Sequence, residues 1–211
     1  MLGARKLPRK LQPMLKRVLD LALSLLGLLV LAPVFALIAL CISLDSPGDV
    51  FFKLRVAGRD GKPFDQWKFR TMIQNARDTA HRFETSAADP RITRVGRFLR
   101  RWSLDELPQL WNVLRGEMSL VGPRPAFLEV AQQYSPEQAR RLQMRPGLTG
   151  LAQLRGRNLL PWDQRIVLDI AYIEQYSLWL DAWILWRTIP LLLRGTGVYG
   201  EGGVVKMHDL A

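Results

Sequence analysis

Residues 18–44 form an apolar run in which Asp20 is the only charged side chain. As one α-helix these 27 residues would reach roughly 40 Å, at about 1.5 Å per residue, which is enough for a hydrocarbon core of about 30 Å. A cleaved signal peptide has a shorter apolar middle and ends in small residues, whereas Asp45, Ser46 and Pro47 follow this run. The sequence therefore predicts a membrane segment.

The charges on either side of the run restrict how it meets the membrane. Six Lys and Arg residues lie within residues 1–17 and six more within 53–70. Short basic flanks favour the cytoplasmic side, so both ends are expected there. Pro33 removes a helical hydrogen bond near the middle and leaves arms of roughly 22 and 18 Å, each too short to cross. We favour a re-entrant helix-break-helix hairpin over residues 16–44, broken at Pro33, against a single crossing helix, although proline kinks also occur in crossing helices.

The composition limits the class of partner. Over 211 residues the chain carries 30 Lys and Arg, and its net charge is +11. A chain of this length folds as one main domain, and its charge favours phospholipid surfaces, nucleic acid or small phosphorylated substrates. Cys41 is the single cysteine, so no disulfide forms within the chain. His81 and His208 have no His or Cys neighbours at metal-ligand spacing, which argues against a zinc site.

The residues after the apolar run predict one α+β unit. A strand is expected at 50–54, followed by the hairpin turn signal GRDGKPF, and helical periodicity appears within 91–114, 131–143 and 165–176. Residues 74–88 are interpreted as a polar helix or loop.

Three tryptophans near the C-terminus are spaced for one face of a helix: Trp179, Trp183 and Trp186. Indole rings favour the headgroup level of a bilayer, and the same spacing also fits a helix in a protein core. Because the chain is already anchored, we favour an amphipathic helix at the membrane interface near residues 178–194.

The adjacent carboxylates of Asp105 and Glu106 have a structural and a functional interpretation. Ser103 and Glu106 match the capping box S-x-x-E, in which the serine caps a helix and both acids complement the helix dipole. However, Pro108 would cost a hydrogen bond in a helix that began at Leu104, and such local conflicts are typical of functional sites.

The residues around the acidic pair favour function. The helix after the pair is expected to have a buried stripe made of Leu107, Leu110, Trp111 and Leu114. That stripe would leave a polar face made of Asp105, Gln109 and Asn112. Five arginines precede the pair, namely Arg91, Arg94, Arg97, Arg100 and Arg101. They fit either a solvated basic helix face or a surface that holds phosphates.

A carboxylate that attacks a diphosphate needs such cations, since both reactants are negative. Mg²⁺ commonly takes one or two carboxylates together with substrate phosphates. The turns GPRP at 122–125 and RPGLTG at 145–150 place Arg124 and Arg145 in loops that proline restricts. Such preordering lowers the entropy lost when a guanidinium binds phosphate.

Several ungapped motifs resemble the small monotopic phosphoglycosyl transferases, the bacterial sugar transferase family that begins polyprenyl-linked glycan assembly. In the family's order they are KRVLDLALSLLGLLVLAPVFALIAL, DQWKFRTM, SLDELPQLWNVLRGEMSLVGPRP, MRPGLTGLAQLRGRN, VLDIAYIEQYSLWLDAWIL and GTGV. One departure is Ala32-Pro33, where the family often has Ser-Pro at the hairpin break. The resemblance also leads us to expect the minimal form of the family, without additional transmembrane helices ahead of the domain.

The resemblance implies a location and an organisation. Residues 1–15 would be a basic tail, 16–44 the re-entrant membrane helix, and 45–211 a compact, mostly helical cytosolic catalytic domain with interfacial amphipathic helices. The protein would lie in the bilayer of the bacterial inner (cytoplasmic) membrane, on its cytosolic face.

The resemblance also implies a Mg²⁺-dependent ping-pong reaction. Asp105 would attack the β-phosphorus of a UDP-sugar, release UMP and pass the phosphosugar to undecaprenyl phosphate. Glu106 would assist the second step, and both carboxylates would bind the metal. The product would enter exopolysaccharide, O-antigen or glycoprotein glycan assembly by downstream glycosyltransferases.

Four basic residues match motif positions expected to bind phosphate or nucleotide: Arg124, Arg145, Lys68 and Arg70. Two other classes of protein stay open at this point. A nucleic-acid-binding protein would explain the charge, and a membrane scaffold would explain the apolar run. Neither accounts for the acidic pair among arginines, so no nucleic-acid partner is expected.

Overall fold

A computed structural model describes residues 11–74, 76, 84–86, 88–195 and 204–206. Most of the predicted basic tail, most of the stretch 74–88, both histidines and the GTGV motif beyond its first glycine lie outside the described residues. The helices are α1 (Gln12–Asp45), α2 (Arg94–Arg101), α3 (Gln109–Arg115), α4 (Leu128–Ala131), α5 (Pro136–Ala139), α6 (Leu151–Arg155), α7 (Trp162–Glu174) and α8 (Leu178–Arg194). The strands are β1 (Phe51–Ala57), β2 (Pro63–Phe69), β3 (Glu84–Ser86), β4 (Ser119–Val121), β5 (Ala126–Phe127), β6 (Gly147–Thr149) and β7 (Val204–Lys206).

The apolar run forms one uninterrupted helix, α1, of 34 residues. Pro33 lies inside it and helix continues on both sides, so the predicted separation into two arms at Pro33 is not seen. Proline removes a single backbone hydrogen bond, and the turns before and after it retain theirs. Among the described residues, α1 is the one helix long and apolar enough to cross a membrane.

The polarity of α1 is the reverse of that of a soluble amphipathic helix. Its polar residues Lys16, Asp20 and Ser24 are buried, whereas most of its leucines are exposed. Lys16 Nζ donates to Asp181 Oδ2 at 2.7 Å and to the carbonyl of Val121 at 2.9 Å. Asp20 Oδ1 accepts from the amide of Leu120 at 3.0 Å. The polar side therefore faces protein, and the apolar side is free to face lipid.

The C-terminal half of α1 packs on the same domain. Ile38 and Ile42 form a buried cluster with Phe69 of β2 and Leu99 of α2. The Asp45 carboxylate accepts from the amide of Val95 at 2.9 Å. Both ends of α1 thus bond to the domain formed by the residues that follow it.

The domain is built around a small antiparallel sheet with the strand order β2-β1-β5. β1 and β2 form the predicted hairpin, in register from Phe51 opposite Phe69 to Ala57 opposite Pro63. β3 pairs with β7, and β4 lies parallel to β6. The main core packs this sheet against α3, α7 and α8; its buried members are Leu54, Val56, Phe64, Leu110, Val113, Met118, Leu120, Val121, Tyr172 and Ile184. The α+β class is confirmed.

The helices differ from prediction mainly where proline or loops intervene. The periodic stretch 91–114 is divided into α2, a 3-10 turn at Leu104–Glu106, and α3. The stretch 131–143 contains the last residue of α4, then α5 and a 3-10 turn at Arg140–Gln143. The third predicted helix is found as α7.

The predicted C-terminal helix is found as α8, and its indoles are exposed. Trp179 and Trp186 are 81% and 72% exposed, and Ile189 and Leu193 continue the apolar stripe. The opposite side buries Ile184. The alternative of a core helix is therefore wrong for the tryptophan face, and this face is suited to a bilayer interface.

The two Pro-Arg turns meet through their backbones, where β4 lies beside β6. The amide of Gly122 donates to the carbonyl of Thr149 at 2.9 Å, and that of Gly147 to the carbonyl of Pro123 at 2.8 Å. A Cβ at Gly147 would lie 2.0 Å from the nitrogen of Gly122. Glycine at 147 is thus required by close backbone approach.

We predict that Gly147→Ala destabilises the protein by about 3 kcal/mol, because the backbone of the neighbouring loop must move. Gly61→Ala is the control: its Cβ would meet nothing within 4 Å, so only its positive φ is penalised, by about 1 kcal/mol. Denaturant unfolding of both variants in detergent measures this difference. Equal stability of the two would contradict the packing argument.

Candidate active site

The acidic pair does not lie in the helix that the capping box predicted. Ser103 has φ 55° and its side chain makes no cap hydrogen bond. Asp105 and Glu106 occupy the 3-10 turn, and α3 begins at Gln109 with Pro108 as its N-cap. Proline lacks an amide hydrogen and is tolerated at a helix start, which is why the helix forms after it rather than through it.

The predicted faces of the following helix are also corrected. Gln109 and Asn112 are fully buried, whereas Trp111 is 49% exposed. Asn112 Oδ1 accepts from the amide of Trp67 at 2.9 Å, and its Nδ2 donates to the carbonyl of Asp65 at 2.7 Å. Helical periodicity predicts Asn112 on a polar face with Asp105 and Gln109, and the burial of Asn112 and Gln109 corrects this prediction. Through these two bonds Asn112 fixes β2 against α3. The bonded residue Trp67 directly precedes Lys68 in β2.

Glu106 is the centre of a three-residue ion cluster. Its Oε1 accepts from Lys68 Nζ at 2.7 Å and from Arg124 Nη2 at 3.0 Å. The three side chains are 16%, 18% and 30% exposed, in the order Glu106, Lys68, Arg124. Two of the four predicted basic residues therefore converge on the acidic pair, from β2 and from the GPRP turn.

The two carboxyl groups have opposite pKa shifts. Burial and, after it, the neighbouring charge of Glu106 raise the pKa of Asp105 to about 6, against the opposing charges of Lys68, Arg100 and Arg124. Burial also opposes ionisation of Glu106, but Arg124 and Lys68 hold its pKa below the ordinary value. Glu106 is thus an ionised group with its charge compensated, and Asp105 is the less compensated of the two.

Asp105 has no hydrogen-bond donor among the described residues, and it is half-buried. Arg100 of α2 lies close enough to lower its pKa, while the Arg100 Nε donates to Thr71 Oγ1 at 2.8 Å. One carboxylate of the pair is therefore held by cations, and the other is available to a ligand.

The backbone of Arg124 is fixed by the buried ion pair of Arg141 with Asp169. Arg141 donates from Nη2 to the backbone carbonyl of Arg124 at 2.9 Å and also to Asp169 Oδ2. Its Nη1 donates to the hydroxyl of Tyr134 at 2.6 Å. Arg141 and Asp169 are both 1% exposed. This buried pair fixes the GPRP turn, and the sequence pattern alone did not single it out.

The other two predicted basic residues lie elsewhere. Arg145 Nε donates to the carbonyl of Gly116 at 2.8 Å, and burial together with nearby Arg17 and Arg59 lowers its pKa. Arg70 donates to the carbonyls of Ser46, at 2.7 Å, and of Pro47, in the turn that follows α1. The structure brings neither guanidinium to Glu106.

Arg157 is a site residue that the sequence analysis missed. Its Nη2 donates to Ser103 Oγ at 3.2 Å, two residues before Asp105. Burial lowers its pKa, and the charges of Glu106 and Asp105 oppose that shift. Its backbone has φ 54°, an unusual value for a residue with a side chain. Its signal in the sequence is the motif RGRN, which lies in one of the stretches that resemble the family.

The residues were also tested as a Mg²⁺ site. The described residues contain no group of three or more His, Cys, Asp or Glu side chains. Asp105 with the second oxygen of Glu106 still fits a hard cation that takes one or two carboxylates and completes its shell with phosphates and water. The pair therefore suits a metal that arrives with a phosphorylated substrate, not a preformed protein cage.

This arrangement defines a class: a membrane-anchored domain with a carboxylate pair among basic side chains. The sequence profile of the bacterial sugar transferase family matches residues 11–195. The chain belongs to the bacterial sugar transferase family.

Curated relatives are similar over most of this chain. A UDP-glucose:undecaprenyl-phosphate glucose-1-phosphate transferase of Caulobacter vibrioides is 47% identical over 92% of this chain and 75% of its own length. An undecaprenyl-phosphate galactose phosphotransferase of Salmonella typhimurium is 40% identical, over 88% of this chain but 42% of its own. The exopolysaccharide production protein ExoY of Sinorhizobium fredii is 39% identical over 87% of this chain and 88% of its own. The chain thus spans less than half the length of some relatives.

We predict that Asn112→Leu destabilises the protein by about 3 kcal/mol, because it leaves buried backbone groups of β2 unpaired. Gln109→Met is the matched control, since Gln109 is equally buried but its Nε2 has no partner; it is expected to cost less than about 1 kcal/mol. Denaturant unfolding distinguishes the two. A smaller loss for Asn112→Leu than for Gln109→Met would contradict the assigned role.

Proposed function

We propose that this protein transfers a sugar-1-phosphate from a UDP-sugar to undecaprenyl phosphate, through a covalent intermediate on Asp105, and releases UMP. Family membership and the relatives' printed names support the general reaction. The observation that carries the covalent step is the contrast within the acidic pair: Glu106 is held by two cations, whereas Asp105 has no donor among the described residues.

In the first half-reaction, a carboxylate oxygen of Asp105 attacks the β-phosphorus of the donor. The bond between that phosphorus and the bridging oxygen breaks, and UMP leaves with the electron pair. Asp105 then carries the sugar-1-phosphate as an acyl phosphate. With its pKa at about 6, most of Asp105 is ionised at neutral pH and can act as a nucleophile without a general base.

In the second half-reaction, a phosphate oxygen of undecaprenyl phosphate attacks the same phosphorus. The acyl phosphate bond breaks, the carboxylate of Asp105 is regenerated, and undecaprenyl diphosphosugar is formed. No proton need be transferred in either half if the acceptor phosphate is fully ionised. Glu106 keeps Lys68 and Arg124 in place beside the reacting phosphorus through both halves.

The cations around the pair would offset charge repulsion in both transition states. Arg124 is preordered by its proline-bracketed turn and by Arg141 behind it. Arg157 lies next to the turn that carries Asp105. Asp105 and Glu106 would also hold Mg²⁺, which, when bound, neutralises phosphoryl oxygens and orients the diphosphate.

We further propose that α1 enters and leaves the bilayer on one side, which would be the cytosolic face of the bacterial inner membrane. The contacts of Lys16 with Asp181 and of Asp45 with Val95 support this, since both ends of α1 bond to one domain. A crossing helix would carry its ends to opposite faces, about 30 Å apart. The exposed indoles of α8 would lie at the same interface.

The product would supply glycosyltransferases that extend a lipid-linked glycan, such as an exopolysaccharide. Relatives of similar identity are named for glucose and for galactose. A screen of UDP-sugars for UMP release would assign the donor.

We predict that Asp105→Asn lowers UMP release by about 10⁴-fold or more, because the nucleophile is lost. Mass spectrometry of the wild type with donor alone should locate a phosphosugar on Asp105. Asp65→Asn is the control: it removes a carboxylate from an exposed ion pair with Arg55 and should keep near wild-type activity. An adduct on another residue, or an active Asp105→Asn, would reject the proposal.

The membrane arrangement has its own test. In a Cys41→Ala background, Leu11→Cys and Asp49→Cys place single thiols just before and just after α1. Both should resist a membrane-impermeant maleimide in right-side-out spheroplasts and react after permeabilisation. Labelling of Leu11→Cys, but not of Asp49→Cys, in intact spheroplasts would show that α1 crosses.

A further inference from the structure

A second basic cavity lies between α6 and α8, outside the carboxylate site. It has a volume of about 460 Å³, within the range of small-molecule sites. Three arginines line it, Arg155, Arg187 and Arg194, together with Trp183, Pro190 and two leucines. None of its lining residues is acidic. The cavity is therefore a concentrated positive charge with apolar walls.

Its arginines are exposed and available. Among the described residues none of the three forms an ion pair. The guanidinium of Arg187 lies 5.9 Å from the centroid of the Trp183 ring. A guanidinium fork matches the oxygens of a phosphate in bidentate geometry. The guanidinium donors of the three arginines are therefore suited to bind a phosphate group.

The position of the cavity on α8 indicates where that phosphate comes from. Trp183 lines the cavity and also belongs to the exposed apolar stripe with Trp179 and Trp186. Indoles of such a stripe lie at headgroup level when a helix rests on a bilayer. The arginines of the cavity therefore lie at the level of phospholipid phosphates, and basic pockets of this kind bind anionic headgroups.

We propose that this cavity is a binding site for the phosphodiester headgroup of an anionic glycerophospholipid, distinct from the polyprenyl phosphate substrate. The site has a consequence for the neighbouring catalytic turn, which is the 3-10 turn Leu104–Glu106 that carries the acidic pair. α8 ends at Arg194, and a Cβ at the following Gly195 would lie 3.1 Å from the carbonyl of Arg101, four residues before Asp105. A headgroup held here orients the catalytic turn relative to the bilayer surface.

The test is lipid binding to the purified full chain in neutral detergent, read by native mass spectrometry. The probes are phosphatidylglycerol, phosphatidylcholine and undecaprenyl phosphate, each titrated alone. The variant is Arg187→Gln with Arg194→Gln, both exposed positions, and circular dichroism checks its fold. The control is Arg55→Gln with Arg59→Gln, which removes the same charge from the exposed β1–β2 hairpin.

The wild type should bind phosphatidylglycerol in preference to phosphatidylcholine. The cavity variant should lose roughly tenfold or more in affinity for phosphatidylglycerol, while the control changes by less than about twofold. Undecaprenyl phosphate binding should be similar in both variants. An equal loss in the control would overturn the proposal in favour of general charge attraction. A selective loss of undecaprenyl phosphate would overturn it in favour of an acceptor site.

Discussion

The contact of Glu106 with Lys68 and Arg124 holds the candidate site together. It joins three segments that are distant in sequence: the β1–β2 hairpin, the 3-10 turn before α3, and the turn after β4. Without its two cations, Glu106 would be a poorly solvated charge beside a second carboxylate, which is a costly arrangement. With them, Glu106 is neutralised and Asp105 is left available. The cluster therefore stabilises the fold, and it makes the two acids different: Glu106 binds the cations, and Asp105 stays available to a ligand.

The membrane helix α1 packs against the same elements that carry the candidate site. Its polar residues are buried against β4 and α8, and its C-terminal half packs on β2 and α2. Leu104 and Leu107, on either side of the acidic pair, pack against that C-terminal cluster. The 3-10 turn that carries the acidic pair is thus supported directly by α1. In the proposed reaction this arrangement would place Asp105 near the surface where a lipid-linked acceptor presents its phosphate.

Local pattern, without the family resemblance that pointed to Lys68, was sufficient to predict the β1–β2 hairpin, α7, α8, and Arg124 as a candidate phosphate ligand beside the acidic pair. It was insufficient where a side chain's direction depends on a distant partner. Arg70 lies in the same motif as Lys68, and Arg145 lies in a Pro-Arg turn like that of Arg124, yet both bond backbone carbonyls elsewhere. The sequence does not show which of several neighbouring cations points inward, because that depends on packing between segments far apart in the chain.

The errors around α3 have a physical cause. The motif S-x-x-E fits a capping box, but Pro108 makes a later helix start more favourable, and this moves the periodicity of the buried face. Asn112 and Gln109 consequently lie inside, and Trp111 outside. Similarly, Pro33 predicted a break, but the helix continues through it. At Pro108 the sequence located a real effect of proline on the helix start, whereas at Pro33 the predicted break is not seen.

The most direct test of the central claim is isotope exchange in the absence of any acceptor lipid. Purified protein is mixed with UDP-sugar, Mg²⁺ and radiolabelled UMP, and the label in UDP-sugar is followed with time. If Asp105 takes the phosphosugar with release of UMP, the first half-reaction is reversible without acceptor and label must enter the donor. If label enters only when undecaprenyl phosphate is present, the transfer is direct and Asp105 is not the carrier.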